Sequence, residues 1–486
     1  MNDEEQIFWY RTVLRTWYGS VTCIMLMNSC NVQYGSALEE DSEMMMYGPS
    51  KIRRCTTTMN AISLHLLAFV LLINYSHVVV VVVESFNALN LPQPKGLSRQ
   101  KLLDLANKRY NTKNMNDNDC PMKDRVVVIT GAAGGIGNEL CQIVHSLGAT
   151  VLALDRNRKG LDQLQQQLQE EKRLWTFPIQ QEDLTSVSMV ANDIQQQFPN
   201  IDVLVNNAGL TYNDPSTIDT TKTGPTSTHG KDLAFTVNYL SHVLLTEKLL
   251  PNLMQPNNNH DSNHGRVVHI TSTYHWKVDG TELIPSVSCG GDNEWLEPMA
   301  YQSDPKLQSY KHYQRSYANT KLAQLWHSRA IPCSSVCACP TWAATSIAGN
   351  EGSAKDFLNQ YAFPVSNLGP GITSSINAIL RTDQELGDAL HTTTNNNNNV
   401  SKCFVANSRI LEYIWGFDTW LTSNFITNVL GIRDEITDLC SGILLLGQRY
   451  TYDDFIIQKT SPESFMDHDQ IQKFYEWSKK EIQPYM

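Results

Sequence analysis

Residues 126–140 read VVVITGAAGGIGNEL, and this stretch constrains the fold more than any other. Four β-prone apolar residues lead into Thr130-Gly131, and a helix-like pattern follows Gly137. Glycine weakens an ordinary strand or helix, so three of them at the mouth of a strand mark a place where bare backbone is needed. Gly131 permits a tight turn, Gly135 lets the backbone approach a pyrophosphate, and Gly137 lets the helix sit close to the sheet. The helix start then offers free N–H groups and a positive dipole end to phosphate. A dinucleotide site on a strand–turn–helix unit is the expectation.

From Arg125 onward the pattern alternates. Strand-like runs fall at 126–130, 150–154, 202–206, 266–271 and 335–339, with helical patterns at about 136–147, 160–172, 230–254 and 314–329. Such alternation predicts an α/β fold, a doubly wound parallel sheet of Rossmann type covered on both faces. The chain has 486 residues, 41% hydrophobic and 18% charged, enough for a large core. We read one catalytic domain over 121–486, with insertions, behind an N-terminal extension over 1–120. A net charge of −11 without a basic cluster argues against a nucleic-acid partner. Cys333, Cys337 and Cys339 alternate in IPCSSVCACP as a buried strand does, so no metal is expected there.

Further along lie Asn206-Asn207-Ala208-Gly209 after the fourth strand, Asn238 in VNYLSHVLLT, Ser272 in VVHITSTY, and Tyr317-x-x-x-Lys321 in YANTK. With the spacing Thr130-Gly131-x-x-x-Gly135-x-Gly137, these resemble the short-chain dehydrogenase/reductase family, motif by motif and in its order, over roughly 124–346. VNYLSHVLLT and the closing YEWSKKEI are similar to retinol-dehydrogenase-like members. The resemblance implies that Thr130, Gly131, Gly135, Ile136, Gly137, Asn207, Ala208 and Gly209 surround the cofactor, and that Asn238, Ser272, Tyr317 and Lys321 are catalytic. It implies that Tyr317 exchanges a proton with the substrate oxygen while Ser272 hydrogen-bonds the same atom. Lys321 then lowers the phenol's pKa and reaches the cofactor ribose, and Asn238 holds a water linking Lys321 to solvent. A second pair of the same spacing, Tyr475/Lys479, lies outside the serine-to-strand interval and reads as a packing or surface pair.

Asp155 ends the second strand, where a carboxylate accepts from the ribose hydroxyls and repels a 2′-phosphate. Arg156 beside it offers the opposite preference, and NAD(H) is favoured over NADP(H). Asp183 in QEDLTS is expected at the adenine, with a helix N-cap as its plainer role. Thr345 matches the threonine at the nicotinamide carboxamide, although Pro340-Thr341 replaces the family's Pro-Gly. Insertions before Asn238 and around Trp295 are expected over the substrate side, and the apolar stretch from about Phe404 to Gln448 as packing against the domain, a lid or a membrane-contacting flap.

Residues 61–83 carry no Asp, Glu, Lys or Arg and are long enough to cross a bilayer. The stretch reads as a membrane anchor, as the apolar part of a cleaved signal beginning near Met59, or as a buried element. ESFNALNLP after it resembles the phenylalanine-containing cleavage site of plastid-targeted proteins in algae with complex plastids, and the following basic segment to about Lys113 is transit-peptide-like. Membrane-associated or organellar localisation, in endoplasmic reticulum or plastid, follows. The expected activity is NAD(P)-dependent interconversion of alcohol and carbonyl on a bulky lipophilic small molecule, such as a retinoid, sterol or carotenoid-like compound. A protochlorophyllide-reductase-like plastid enzyme and a non-catalytic dinucleotide-binding scaffold or sensor are the rival readings.

Overall fold

The computed structural model describes residues 98–110, 120–168, 172–211, 232–255, most of 264–340, 370–387, 402–406, 456–457 and 468–486. The apolar stretch 61–83, Thr345, the Thr-rich insertion and most of 404–448 lie outside them. Within them the sheet has eight strands. They are β1 (Val126–Thr130), β2 (Thr150–Asp155), β3 (Leu174–Pro178), β4 (Val203–Asn206), β5 (Arg266–Ile270), β8 (Ser334–Cys339), β9 (Lys402–Ala406) and β10 (Ile456–Ile457). A separate two-stranded ribbon pairs β6 (Ser286–Val287) with β7 (Trp295–Leu296), which holds Trp295 of the insertion.

The order is β10-β9-β8-β5-β4-β1-β2-β3, and every pairing is parallel except β10 on β9. The chain starts in the middle at β1, winds outward through β2 and β3, then returns to β4 and continues the other way. That reversal opens a crevice at the carboxyl ends of β1 and β4, where doubly wound sheets bind ligands. Strand alternation sorts the core onto two faces. Val128, Leu152, Leu154, Leu204 and Val267 face one side. They pack under α4 (Leu184–Gln197), α6 (Ser241–Leu253), α7 (Tyr310–Ala330) and α10 (His468–Ile482). Val127, Ile129, Val151, Ala153, Val203, Val205 and Val268 face the other. Their cover is α1 (Arg99–Tyr110), α2 (Gly135–Ser146) and α8 (Pro370–Leu380). Two short helices, α5 (Leu233–Phe235) and α9 (Asp383–Gly387), and α3 (Arg158–Leu168) complete the set named here.

Helix α1 belongs to the segment read as transit-peptide-like, yet it contributes Leu102, Leu105, Ala106 and Tyr110 to the second core face. Those positions recur three to four residues apart, as an amphipathic helix requires. The basic residues that gave the segment its leader-like look divide by face: Lys108 pairs with Glu385 at the surface, while Arg109 is buried. The packed body therefore already includes residues upstream of 120.

Candidate active site

The glycine turn comes first, because β1 delivers it to the crevice. Gly131 has φ +66, and a Cβ there would stand 2.9 Å from Ala208 Cα. A Cβ on Gly137 would lie 2.1 Å from the Gly131 carbonyl oxygen, so α2 rests directly on the turn that starts it. Gly134 caps α2 with no side-chain hydrogen bond, and Gly134 and Gly135 are exposed while Ile136 is half-buried. The first-turn N–H groups thus face outward without a protein side chain to satisfy them, the arrangement a pyrophosphate uses. Residues 130–137 fit a dinucleotide.

Thr130 fastens this turn to its neighbour. Its hydroxyl accepts from the Asn207 and Ala208 N–H groups, both at 2.9 Å, and Asn207 Nδ2 returns to the Thr130 carbonyl at 2.8 Å. Asp155 sits at the end of β2 and is buried. One carboxylate oxygen accepts from Ala133 N–H at 2.9 Å and the other from Asn157 N–H at 2.8 Å. Arg156 beside it is exposed. Asp183 caps α4 by accepting from Thr185 N–H at 2.9 Å, the plainer of its two expected roles.

The catalytic candidates converge on the same crevice from three elements. Ser272 follows β5, and a side-chain hydrogen bond joins it to the Tyr317 phenol on α7. Tyr274 meets Tyr317 edge-to-face at 5.7 Å. One helical turn on, Lys321 is only 3% exposed, and its Nζ lies 5.3 Å from the Tyr317 ring centre. The ammonium donates to Ile270 O at 3.0 Å and to Gln324 Oε1 at 3.3 Å. A Cβ on Gly209 would come within 3.4 Å of Asn238 Oδ1 and 3.8 Å of Lys321 Nζ, so these three meet at one point.

Burial pushes the Tyr317 phenol above its ordinary range, and the Ser272 hydrogen bond only partly offsets that. In the protein alone the loss of solvation sets the direction of the shift, and Lys321 contributes nothing resolved to it. Burial also brings Lys321 down to about 8, so it remains mostly an ammonium at neutral pH. The set is therefore a protonated phenol beside a buried cation.

Asn238 stands in a π-helical turn, Thr236–Leu240, where Ser241 N–H reaches back to Thr236 O. Such turns interrupt an α-helix at a cost in regular hydrogen bonding and gather at functional sites. The Asn238 amide is fully engaged. Its Oδ1 accepts from Leu210 N–H at 2.8 Å, and its Nδ2 donates to Leu210 O at 2.9 Å and Thr320 Oγ1 at 3.1 Å. The side chain thus stitches the segment after Gly209 to α7. Its main-chain carbonyl accepts from Gln324 Nε2 at 2.9 Å and lies 3.0 Å from His242 Nδ1.

Gln324, His242 and Thr320 were not anticipated. The signal was present: Gln324 follows Lys321 by three residues and His242 follows Asn238 by four, so each shares its partner's helix face. Asp232 was missed too. It caps α5, accepting from Phe235 N–H at 2.6 Å, and Ser316 reaches it at 3.4 Å. Cys333 is buried just before β8, while Cys337 and Cys339 lie on it. Among the described residues no group of three or more His, Cys, Asp or Glu is placed to hold a metal.

A reversal-point crevice with a glycine turn on one side and a Ser–Tyr–Lys set on the other defines a doubly wound dinucleotide-type domain. The family model for short chain dehydrogenase matches residues 125–280, and that part of the chain is similar to the short-chain dehydrogenase/reductase family. Tyr317 and Lys321 lie beyond that match, so their place at the site rests on the geometry above. The chain is 31% identical over 146 residues to "Dehydrogenase/reductase SDR family member 7B" of Bos taurus, covering 29% of this chain and 43% of that protein. It is 41% identical over 91 residues to "(-)-isopiperitenone reductase" of Mentha piperita, covering 18% and 29%. It is 28% identical over 213 residues to "Short-chain dehydrogenase TIC 32 A, chloroplastic" of Brassica napus, covering 43% and 58%. The chain thus spans about two fifths of the bovine relative's length, rising to 58% of the Brassica one.

Proposed function

We propose that this chain is an NAD(P)-dependent oxidoreductase that interconverts an alcohol and a carbonyl on a bulky lipophilic small molecule. The observation that carries the reading is the Tyr317 phenol, hydrogen-bonded to Ser272 and set one turn from the buried Lys321 ammonium. When bound, the nicotinamide supplies or receives the hydride. Tyr317 gives its proton to the carbonyl oxygen, and Ser272 shares its hydroxyl with the charge developing there. Lys321 stabilises the phenolate left behind, an anion that a buried site would otherwise resist. Asn238 fixes the loop after Gly209 against α7, keeping the phenol and the nucleotide side in register.

NAD(H) is the preferred cofactor in this reading. A buried carboxylate at Asp155 disfavours a 2′-phosphate, while the guanidinium of Arg156 points to solvent. Asp155→Ser is expected to narrow or invert the preference toward NADP(H), and tighter NADPH binding by the wild type would overturn the assignment. Thr345 at the carboxamide belongs to the same proposal. The lipophilic substrate is supported by the similarity of VNYLSHVLLT to retinol-dehydrogenase-like members and by the peppermint relative, which is named as a reductase of isopiperitenone.

The extension carrying 61–83 directs the chain to a membrane or organelle, a reading in keeping with the chloroplastic Brassica relative. Among the described residues no helix is long and apolar enough to cross a membrane. A fluorescent fusion of residues 59–120 should leave the cytosol, and diffuse cytosolic signal would refute this. The activity itself is tested by mixing purified full-length chain with NADH or NADPH and a panel of lipophilic aldehydes and ketones. Loss of nicotinamide absorbance is the expected result. Dinucleotide binding without turnover on any of them would favour the scaffold reading.

A further inference from the structure

Gln324 and His242, behind the lysine, have no assigned role, and they belong to one connected set. Thr130 Oγ1 lies 3.3 Å from His242 Nε2, and His242 Nδ1 lies 3.0 Å from the Asn238 carbonyl oxygen. Gln324 Nε2 donates to that same carbonyl at 2.9 Å, and Gln324 Oε1 accepts from Lys321 Nζ at 3.3 Å. All five residues are buried. Burial drives the His242 imidazole down to about 3, so it is neutral and carries one N–H. A carbonyl only accepts, so that N–H sits on Nδ1 and donates to Asn238, which leaves Nε2 an acceptor facing the Thr130 hydroxyl, whose one proton it shares with Val205 O, also at 3.3 Å. Every donor then meets an acceptor along the line.

We propose that Gln324 is a positioning residue that holds the Lys321 ammonium under Tyr317, with its amide oriented by the Asn238 carbonyl and that carbonyl braced by His242. This rests on the reading of Lys321 as the catalytic lysine. An amide has a donor end and an acceptor end, and only one orientation serves a cation. With Nε2 committed to Asn238 O, Oε1 faces Lys321. Flipped, the NH2 group would face the ammonium and repel it. The π-turn carries Asn238, so it sets both its side chain, on the nucleotide-side loop, and its carbonyl, on α7.

The test reads Lys321 directly. Full-length protein carrying lysine labelled with 13C at Cε is titrated by NMR from pH 6 to pH 11, with Lys321→Met assigning the signal. The groups facing this ammonium are Tyr317 on α7, Cys337 and Cys339 on β8, and His242 on α6. None of them changes in the key variants. Gln324→Met keeps the volume and removes the acceptor, and should lower the Lys321 midpoint by about one pH unit. Gln324→Glu keeps the shape and adds a counter-charge, and should raise it. His242→Phe should move it in the direction of Gln324→Met but less. A loss of packing alone would lower the unfolding temperature without opposed movements. Unchanged midpoints in folded Gln324→Met and Gln324→Glu overturn the proposal, and either variant suffices if the other does not fold. Turnover on the same samples reports separately on the oxidoreductase reading. A chain with opposed shifts and no turnover supports the positioning role and refutes the enzymatic one.

Discussion

Two Tyr-x-x-x-Lys pairs lie among the described residues, and by themselves they are nearly the same object. Each lies on one face of a long helix, and each lysine nitrogen sits over its tyrosine ring, at 5.3 Å for Lys321 and 4.7 Å for Lys479. Burial pushes both phenols above their ordinary range. They differ in what the phenol and the ammonium touch next. Tyr317 meets a neutral hydroxyl, Ser272, at the end of a central strand, and its lysine is buried against a carbonyl and an amide oxygen. Tyr475 donates to the Glu247 carboxylate at 2.5 Å, and Lys479 pairs with Glu476 at 2.7 Å on the surface. A carboxylate partner locks the phenol's proton in place and raises its pKa further, whereas a hydroxyl partner leaves it transferable. The neighbours distinguish the two pairs, and the spacing does not.

The strongest way to break this comparison is to make one chemical change at both tyrosines. Tyr317→Phe removes only an oxygen and leaves the ring to pack against Tyr274, so folding and NADH binding should survive while turnover falls by two or more orders of magnitude. Lys321→Ala should be comparably harmful and should also weaken cofactor binding. Tyr475→Phe should leave turnover nearly untouched. Steady-state kinetics on the three variants decide it: equal losses at the two tyrosines, or an active Tyr317→Phe, would overturn the mechanism.

The buried lysine offers a second test, through stability rather than rate. Its pKa is about 8 in the fold against an ordinary 10.5, so between these values the unfolded chain binds more protons and stability rises with pH. Equivalently, its contribution is fully present above 10.5 and is lost as pH falls through 8. Each pKa unit is worth ~1.4 kcal/mol, which bounds the swing at ~3 kcal/mol. Denaturant unfolding of Lys321→Met should therefore show a flatter rise between pH 8 and 10.5 than the wild type. Parallel curves would mean the ammonium is not desolvated.

The same contrast explains what was legible in the sequence. The sheet centre could be read because strands buried on both faces are continuous runs, such as VVVIT and VVHI, and the glycine turn follows one of them. Strand β3, LWTFP, escaped because it is an edge strand with an exposed Trp175 and a closing proline. Ser272, Tyr317 and Lys321 could be named from motif order, because order along the chain dictates order across a parallel sheet. The orientation of Asn238 could not, since the π-turn adds a residue to one turn without a glycine or proline to announce it. The packing of helix α1 is not legible from charge alone, because Lys108 lies at the surface while Arg109 next to it is buried.

The third test turns the comparison round. At the second pair the oxygen matters for stability, because Tyr475 satisfies a partly buried carboxylate whose own pKa burial raises. Tyr475→Phe should cost about 1.5–3 kcal/mol in urea unfolding, the range for a hydrogen bond to a charged group. Tyr317→Phe should cost less, since Ser272 is only half-buried and also accepts from Tyr274 N–H. A larger stability loss at Tyr317 would reverse the assignment of roles.

The smallest effect is expected at Lys479, and it completes the set. Its ammonium is more than a third exposed and its partner Glu476 about half exposed, three residues away on the same helix. Exposed pairs of this kind contribute ~0.2–1 kcal/mol, because water solvates both charges almost as well as they solvate each other. Glu476 is nonetheless held below its ordinary pKa, first by the Lys479 hydrogen bond. The pair's small contribution is therefore present at neutral pH and fades in acid. Lys479→Ala should lower unfolding stability by no more than a few tenths of a kcal/mol in 0.15 M salt, less still in 1 M salt, and leave turnover unchanged. A loss insensitive to salt would mean the aliphatic stem packing on Tyr475, rather than the charge, is what the side chain contributes. A loss of turnover would mean that the second pair reaches the site through Glu247 on α6, and the two regions could no longer be treated as separate.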